Sequence, residues 1–415
     1  MSERTVPQVR PAAPRLAVFA ALSEPNYRRY WCGLVLYVVG WRIEWVSYGW
    51  LIWELTRDPL YLGLYGLVEG VPLVLFQLFG GVLADRAAPV RLLVGTQLGT
   101  AATLVAACAL TAVGGMRVEL ALPLVALSAT CRAFEQPTRM AMVPWLVRRE
   151  LLPNAIAIGS LPWQSGRVLG PSLGGILIAA CGTAVAFGTA ALAYLVAIGL
   201  YSRIRLVAAP PRVGGGVLRP LVQGLLFAAR HALIANLILL TFFNSVFGMS
   251  YMALLPVFSD QHLHGGSTGF GLLQAANGLG AVTGTILLAA TASRLGQRGR
   301  LLLLGGLGFG VLLMAFSQVP TLALGLAVLL LAGLSNTVYL TLVSTALQEQ
   351  VPSELRGRVM GLFGISYNLV PLGGLLGGAI AAAADARMAV LLGGALVALG
   401  TLASLLLNPR LRTLP

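Results

Sequence analysis

Lysine is absent from this chain; all 28 basic residues of its 415 are arginine. The phosphate loop G-x-x-x-x-G-K-[ST], which needs a lysine, therefore does not occur, and ATP-driven pumping by this chain is excluded. Charge is scarce as well, at 10% of residues against about 25% in soluble domains. Hydrophobic residues make up 57% and the mean hydropathy is +0.84. So much apolar surface cannot be hidden from water, so a lipid bilayer is the solvent the composition requires. The four cysteines, Cys32, Cys108, Cys131 and Cys181, lie in or beside apolar stretches at no metal-ligand spacing and are expected to be packing residues. Only three histidines occur; His262 and His264 alternate in a polar segment and, with His231, are too few for a metal site, so a solvated loop is expected. No cofactor site and no enzyme constellation stands out. The first residues, with Pro7, Pro11 and Pro14, lack the apolar core and cleavage site of a signal peptide.

What is present is length in spanning segments. A membrane helix takes about 20 residues, and apolar runs bounded by charge or turn residues predict twelve. The first six are 30–54, 60–84, 91–113, 119–146, 155–180 and 184–202; the second six are 232–258, 268–290, 301–318, 322–347, 359–383 and 388–408. The expected class is therefore all-α integral membrane, with two six-helix bundles at 30–202 and 232–408. They are flanked by tails at 1–29 and 409–415 and joined by a linker at 203–231. That linker is rich in arginine, proline and glycine and ends in an amphipathic segment, 217–230, expected on the membrane surface. The net charge of +14 invites a nucleic-acid partner, but the arginines sit in many short loops and not on one face. With the N-terminus inside, the outside loops hold only Arg57, Arg117 and Arg387. The bias places both termini in the cytoplasm.

The halves repeat each other. Val147, Glu150, Leu151, Gly170 and Gly174 recur as Val351, Glu354, Leu355, Gly374 and Gly378, a constant offset of 204. Asp85-Arg86 before Arg91 is echoed by Ser293-Arg294 before Arg298 and Arg300. Two parallel repeats in a membrane chain point to a transporter with its pathway between them. The run Gly81-Val82-Leu83-Ala84-Asp85-Arg86, then Arg91, resembles the G-x-x-x-D-R signature of the major facilitator superfamily. The resemblance implies a latch in which the glycine allows close helix approach and Asp85 caps a helix and pairs with arginine. Ala88, Pro89 and Val90 depart from the glycine and basic residues usual there. Gly166, Gly170, Pro171, Gly174 and Gly175 resemble the antiporter signature of the same superfamily, implying a tight, bent seam that disfavours leak; plain helix packing would need the same residues. Tyr27-Arg28-Arg29-Tyr30-Trp31, Trp53-Glu54-Leu55-Thr56, Leu151-Leu152-Pro153-Asn154-Ala155 and the run from Val351 to Val359 resemble the enterobactin-exporter and macrolide-efflux subgroup of drug:proton antiporters.

Charge at mid-membrane is costly and marks function by default. All of it lies in the first half: Arg42, Glu44, Glu69, Arg132, Glu135, Arg139 and Arg167. Arg132, Glu135 and Arg139 share one helical face, so Glu135 is expected to stay ionised between two arginines, with Pro137 distorting the helix. Glu69 has no charged neighbour along its helix, and desolvation favours the neutral acid, as a proton carrier requires. Glu69 is therefore the first coupling candidate, with Glu44 and Glu135 behind it; the alternatives are a pairing of Glu69 with Arg42 or Arg167 across helices, or an interfacial position. The polar groups Asn244, Tyr251, Gln274, Asn277, Asn336, Tyr339, Tyr367 and Asn368, with Trp41, Trp45, Trp50 and Trp163, make a possible substrate lining. Taken one by one, such groups are more often helix–helix hydrogen bonds.

These features predict a secondary active exporter in a bacterial inner membrane. It would move a small amphipathic molecule, drug-like or siderophore-like, by proton-coupled alternating access, as a monomer without cofactor. An uptake carrier, a lipid flippase and a non-transporting sensor on the same scaffold remain the alternatives.

Overall fold

The computed structural model describes residues 17–86, 88–205, 218–291, 298–408 and 411, and the backbone alone for 17–18, 77–86, 141 and 218–223. Every regular element among them is a helix. The first half comprises α1 (Pro25–Thr56), α2 (Pro59–Arg86), α3 (Pro89–Ala112), α4 (Val118–Ala133), α5 (Glu135–Met142), α6 (Leu152–Gly159), α7 (Leu161–Cys181) and α8 (Thr183–Tyr201). After α9 (Leu218–Arg230), the second half comprises α10 (Ala232–Phe243), α11 (Tyr251–Val257), α12 (Gly266–Thr291), α13 (Arg298–Ser317), α14 (Leu322–Gln350), α15 (Ser353–Tyr367), α16 (Val370–Ala383) and α17 (Ala386–Leu407).

Prolines set several of these boundaries. Pro25 and Pro89 stand in the first turn of α1 and α3, where the missing N–H costs nothing. α1 thus begins at residue 25, and the Tyr27–Trp31 segment expected partly in a tail is helical. The fourth expected span breaks at Phe134 and not at Pro137; Pro137 falls in the first turn of α5, where proline is tolerated. The fifth span divides at Ser160 and the eleventh at Asn368-Leu369, with Pro371 opening α16. In the seventh span a π-helical turn, Asn244–Gly248, separates α10 from α11.

By length and composition, nine helical stretches among the described residues can cross a membrane. The expected spans not among them are α1, α4 with α5, and α7. These three carry every intramembrane charge except Glu69, which explains their lower hydropathy. α9 packs on α15, and a Cβ on Gly224 would come within 2.8 Å of the Arg358 carbonyl oxygen. Leu225 and Leu226 remain exposed.

Helices of each half pack mainly on one another: α1 on α7 and α8, α3 on α4 and α8, α2 on α4; then α12 and α13 on α14, and α17 on α13 and α16. The halves meet along two equivalent seams, α7 with α12 and α2 with α16. Glycine makes both possible. A Cβ on Gly175 would sit 2.6 Å from the Ser267 carbonyl oxygen and 3.0 Å from Gly271 Cα; one on Gly378 would sit 2.6 Å from the Pro59 oxygen and 3.2 Å from Gly63 Cα. Both seams run from the end of the bundle that holds the α1–α2 connection towards its middle, where Gly70 meets Pro371 and Gly278 meets the Arg167 carbonyl. At the other end α15 packs on α9, α10 and α14, and added Cβ atoms at Gly357, Gly361 and Gly364 would meet nothing. Gly271→Val should therefore wedge the α7–α12 seam. Overpacking of this kind costs about 1–3 kcal/mol, and thermal unfolding in detergent should register it as a lowered Tm; an unchanged Tm would mean the seam yields freely.

Candidate functional site

Five of the seven charges form two buried clusters on α1, α2, α4 and α5, joined by tyrosines of α8, with Arg42 at their edge, and one arginine organises the first. Arg132 Nη1 donates to Glu44 at 2.5 Å and Nη2 to Glu69 at 3.0 Å. Glu44 also accepts from Ser128 at 2.6 Å and from Tyr194 at 3.3 Å, and the Arg132 Nη1 lies 2.6 Å from Ser128 Oγ. Helical spacing brings this about: Ser128 and Arg132 are one turn apart on α4. In the second cluster Arg139 donates to Glu135 at 2.9 Å and to the Tyr201 hydroxyl at 2.8 Å, and its guanidinium stacks 4.0 Å over the Tyr37 ring. Gln97 approaches Glu135 at 3.5 Å. Glu44, Glu69, Arg132, Glu135 and Arg139 are all buried.

Several sequence expectations change here. Glu69 is isolated along its own helix but not in space, because Arg132 reaches it from α4. Arg42 does not pair with Glu69; neither Arg42 nor Arg167 makes an ion pair among the described residues. Glu135 is not held between two arginines. The helix break at Phe134 turns Arg132 towards Glu44 and Glu69 and leaves Glu135 to Arg139. Ser128, Tyr194, Tyr201 and Gln97 were not read from the sequence. The signal was there in the tyrosines, seven residues apart on one face of α8.

The antiporter-like glycines divide between two neighbours. Gly166, Gly170 and Gly174 pack on Val38, Arg42 and Val46 of α1, whereas Pro171 and Gly175 face α12. The motif is thus both packing within a half and a seam between halves. For the latch, Gly81, Asp85 and Arg86 fall where the backbone alone is described, and Arg294 lies outside the described residues. Arg91 is exposed in the first turn of α3. In the second-half echo, Arg298 pairs with Glu349 at 2.7 Å, tying α13 to α14.

Of the expected lining, Asn244 and Tyr251 are buried inside the second half. Asn244 donates to Asn336 at 2.8 Å, and Asn277 donates to the Tyr251 hydroxyl at 2.8 Å. Tyr339 is core. These are helix–helix hydrogen bonds, because two helices that must pack closely in lipid satisfy their polar groups on each other. Trp41 stands 6.0 Å from Trp163, and Trp45 lies 6.3 Å from Phe270 across the interface. Tyr367 is partly buried and Asn368 exposed at the α15–α16 break.

One feature that the sequence did not suggest bridges the halves at the end that holds the α1–α2 connection. Arg57, in the left-handed conformation at φ 51, forms an ion pair with Asp260 of the second half. Trp53 Nε1 donates to the same carboxylate at 3.0 Å. His262, expected in a solvated loop, faces Asp385 at 3.6 Å.

Known proteins agree with this architecture. The chain is 30% identical over 224 residues to the enterobactin exporter EntS of Escherichia coli O1:K1, a match covering 54% of this chain and 53% of that protein. It thus spans about half the length of that relative. It is 22% identical over 343 residues to the staphyloferrin A transporter of Staphylococcus aureus, covering 82% and 86%. In fold it is similar to an inward-facing bacterial homologue of the human lysosomal transporter Spinster, with TM-score 0.71, 16% identity and coverage of 96% and 98%. It is equally similar to the nucleoside transporter NupG, with TM-score 0.73, 12% identity and coverage of 92% and 98%. The family described as transmembrane secretion effector matches residues 16–413. This chain is a multi-pass membrane protein of that family, with a major facilitator fold.

Proposed function

We propose that the protein is a secondary active exporter of a siderophore-like amphipathic molecule, driven by protons, acting as a monomer of twelve spans in a bacterial inner membrane. The observation that carries this is the shared arginine. Arg132 can balance only one of its two carboxylates, so the cluster has a place for one proton beside the interface of two halves that can rock. The names of the two relatives favour a siderophore as cargo, and that of the enterobactin exporter favours export as direction. The arginine bias supports cytoplasmic termini; the end closed by Arg57 and Asp260 would then lie outside, as an inward-facing state requires. Asp85, with Arg294 in the echo, would bias the equilibrium between states. The test is proton movement induced by substrate in liposomes holding the purified protein; no such movement with any siderophore or amphipathic compound would reopen the uptake, flippase and sensor alternatives.

Asp260 would act as the outer lock. Trp53 and Arg57 reach it from the other half, so opening outward must break both contacts. Asp260→Asn weakens the ion pair while keeping size and should populate the outward-open state. Spin labels at Leu55 and Ala383 should show a longer distance component in this variant; identical distance distributions would show that the glycine seams alone hold the end shut.

A further inference from the structure

Coupling through Glu44, Glu69 and Arg132 leaves two guanidiniums unused. Within the spans, Glu44 and Glu69 share Arg132 and Glu135 pairs with Arg139, so four arginines face three carboxylates. The excess positive charge therefore sits on Arg42 of α1 and Arg167 of α7, which have no carboxylate and no hydrogen-bond acceptor among the described residues. Arg42 lies within electrostatic reach of Arg167, of Glu69 and of Tyr367 from the other half. Its guanidinium stacks 4.3 Å over the Trp41 ring.

The polar groups left without partners point the same way. Arg42 Nε and Trp41 Nε1 are buried with no acceptor, and so is the side-chain amide nitrogen of Gln274 on α12. Helix register puts Gln274 in the same layer. Gly271 approaches the Pro171 carbonyl and Gly278 the Arg167 carbonyl, and Gln274 lies between them on that face of α12. All three orphans are donors. Buried donors are nearly always satisfied, and like charges side by side repel, so the layer lacks an acceptor that carries negative charge. A planar guanidinium binds two oxygens of one anion at once, and the Trp41–Trp163 pair offers an apolar wall beside it.

We infer that Arg42 and Arg167, with Trp41 and Gln274, form a site for the oxyanion of an acidic substrate, a carboxylate or ionised phenol on an apolar body. This rests on the transport reading above and narrows it: two arginines disfavour the amphipathic cations that many drug exporters would carry.

The test is binding, read by tryptophan fluorescence, to the purified protein in phosphatidylcholine nanodiscs, with citrate and 2,3-dihydroxybenzoate as anions and ethidium as cation. Arg42→Gln and Arg167→Gln should each weaken anion binding tenfold or more and leave ethidium unchanged or tighter. Where a glutamine variant fails to fold, Arg42→Lys and Arg167→Lys, which keep the charge but lose the fork, should still bind the anions at least threefold more weakly. Unchanged anion affinity in folded variants, no anion binding to the wild type, or a wild-type preference for ethidium would each overturn the site. Displacement of the anions by phosphatidylglycerol in the disc would assign the arginines to a lipid headgroup and overturn the substrate assignment. Because binding needs no transport, an arginine-dependent anion site stands even where no proton flux is found. Proton-coupled export of ethidium that ignores both arginines would leave the transport proposal intact and remove this one.

Discussion

Glu69→Gln should abolish substrate-driven proton movement in liposomes while the protein stays folded. Glu44 accepts from Arg132, Ser128 and Tyr194, whereas the arginine reaches Glu69 with one nitrogen at 3.0 Å. Each donor to a carboxylate favours its charged form. When one of two carboxylates sharing an arginine takes a proton, it is the less well held, Glu69. Glutamine keeps a hydrogen-bond acceptor for Arg132 and mimics the protonated side chain, so the packing of α2 on α4 is preserved. The variant should lose at least tenfold in coupled proton flux, and the residual transport should no longer vary with pH. Substrate binding should change by less than threefold. Because the substituted amide stands for the protonated state at every pH, acidifying the outer compartment should not restore flux. Normal coupling in this variant would shift the proton to Glu44 or Glu135.

Much of this was legible in the sequence, for reasons that differ by residue. The spans were legible because lipid forces apolar residues into continuous runs. The repeat was legible in its glycines: at Gly170, Gly174 and Gly378 a neighbouring helix leaves little room for a Cβ, whereas at Gly374 an added Cβ would meet only the Ala253 Cβ at 3.4 Å. The intramembrane charges could be found because each is expensive enough to be rare. Their pairing could not. Arg132 meets Glu44 and Glu69 only because α4 breaks at Phe134 and because three helices converge, and neither fact has a local signature. Pro137 drew attention to the right span but the wrong residue, since proline in a first turn leaves the helix undisturbed. Asp260 was unremarkable in sequence, an acid at a span edge, and gains meaning only from Trp53 and Arg57 across the seam. The polar groups Asn244, Asn277 and Tyr251 turned out to be hydrogen-bonded between helices of the second half, pairings that have no local signature.

Arg132→Met should be the most damaging single change in the chain, and its rescue should be more informative than its loss. The substitution fills similar volume but leaves two buried carboxylates with no cation between them. Removing one partner of a buried ion pair costs about 3–5 kcal/mol, which is comparable with the whole stability of many proteins, roughly 5–15 kcal/mol. Arg132→Met should therefore yield little monodisperse protein in detergent. The damage comes from the stranded negative charges more than from the lost contacts. Adding Glu44→Gln and Glu69→Gln to Arg132→Met removes those charges and replaces a charged cluster by neutral groups, an exchange that is often neutral or stabilising in buried sites. The triple variant should recover a monodisperse peak and a Tm close to that of the wild type, yet carry no coupled proton flux. Changing Glu44 alone beside Arg132→Met should give partial recovery, since Glu69 stays charged with Arg42 as its remaining cation in reach. Failure of the triple variant to fold would mean that Arg132 holds α1, α2 and α4 together by its geometry and not merely by balancing their charge.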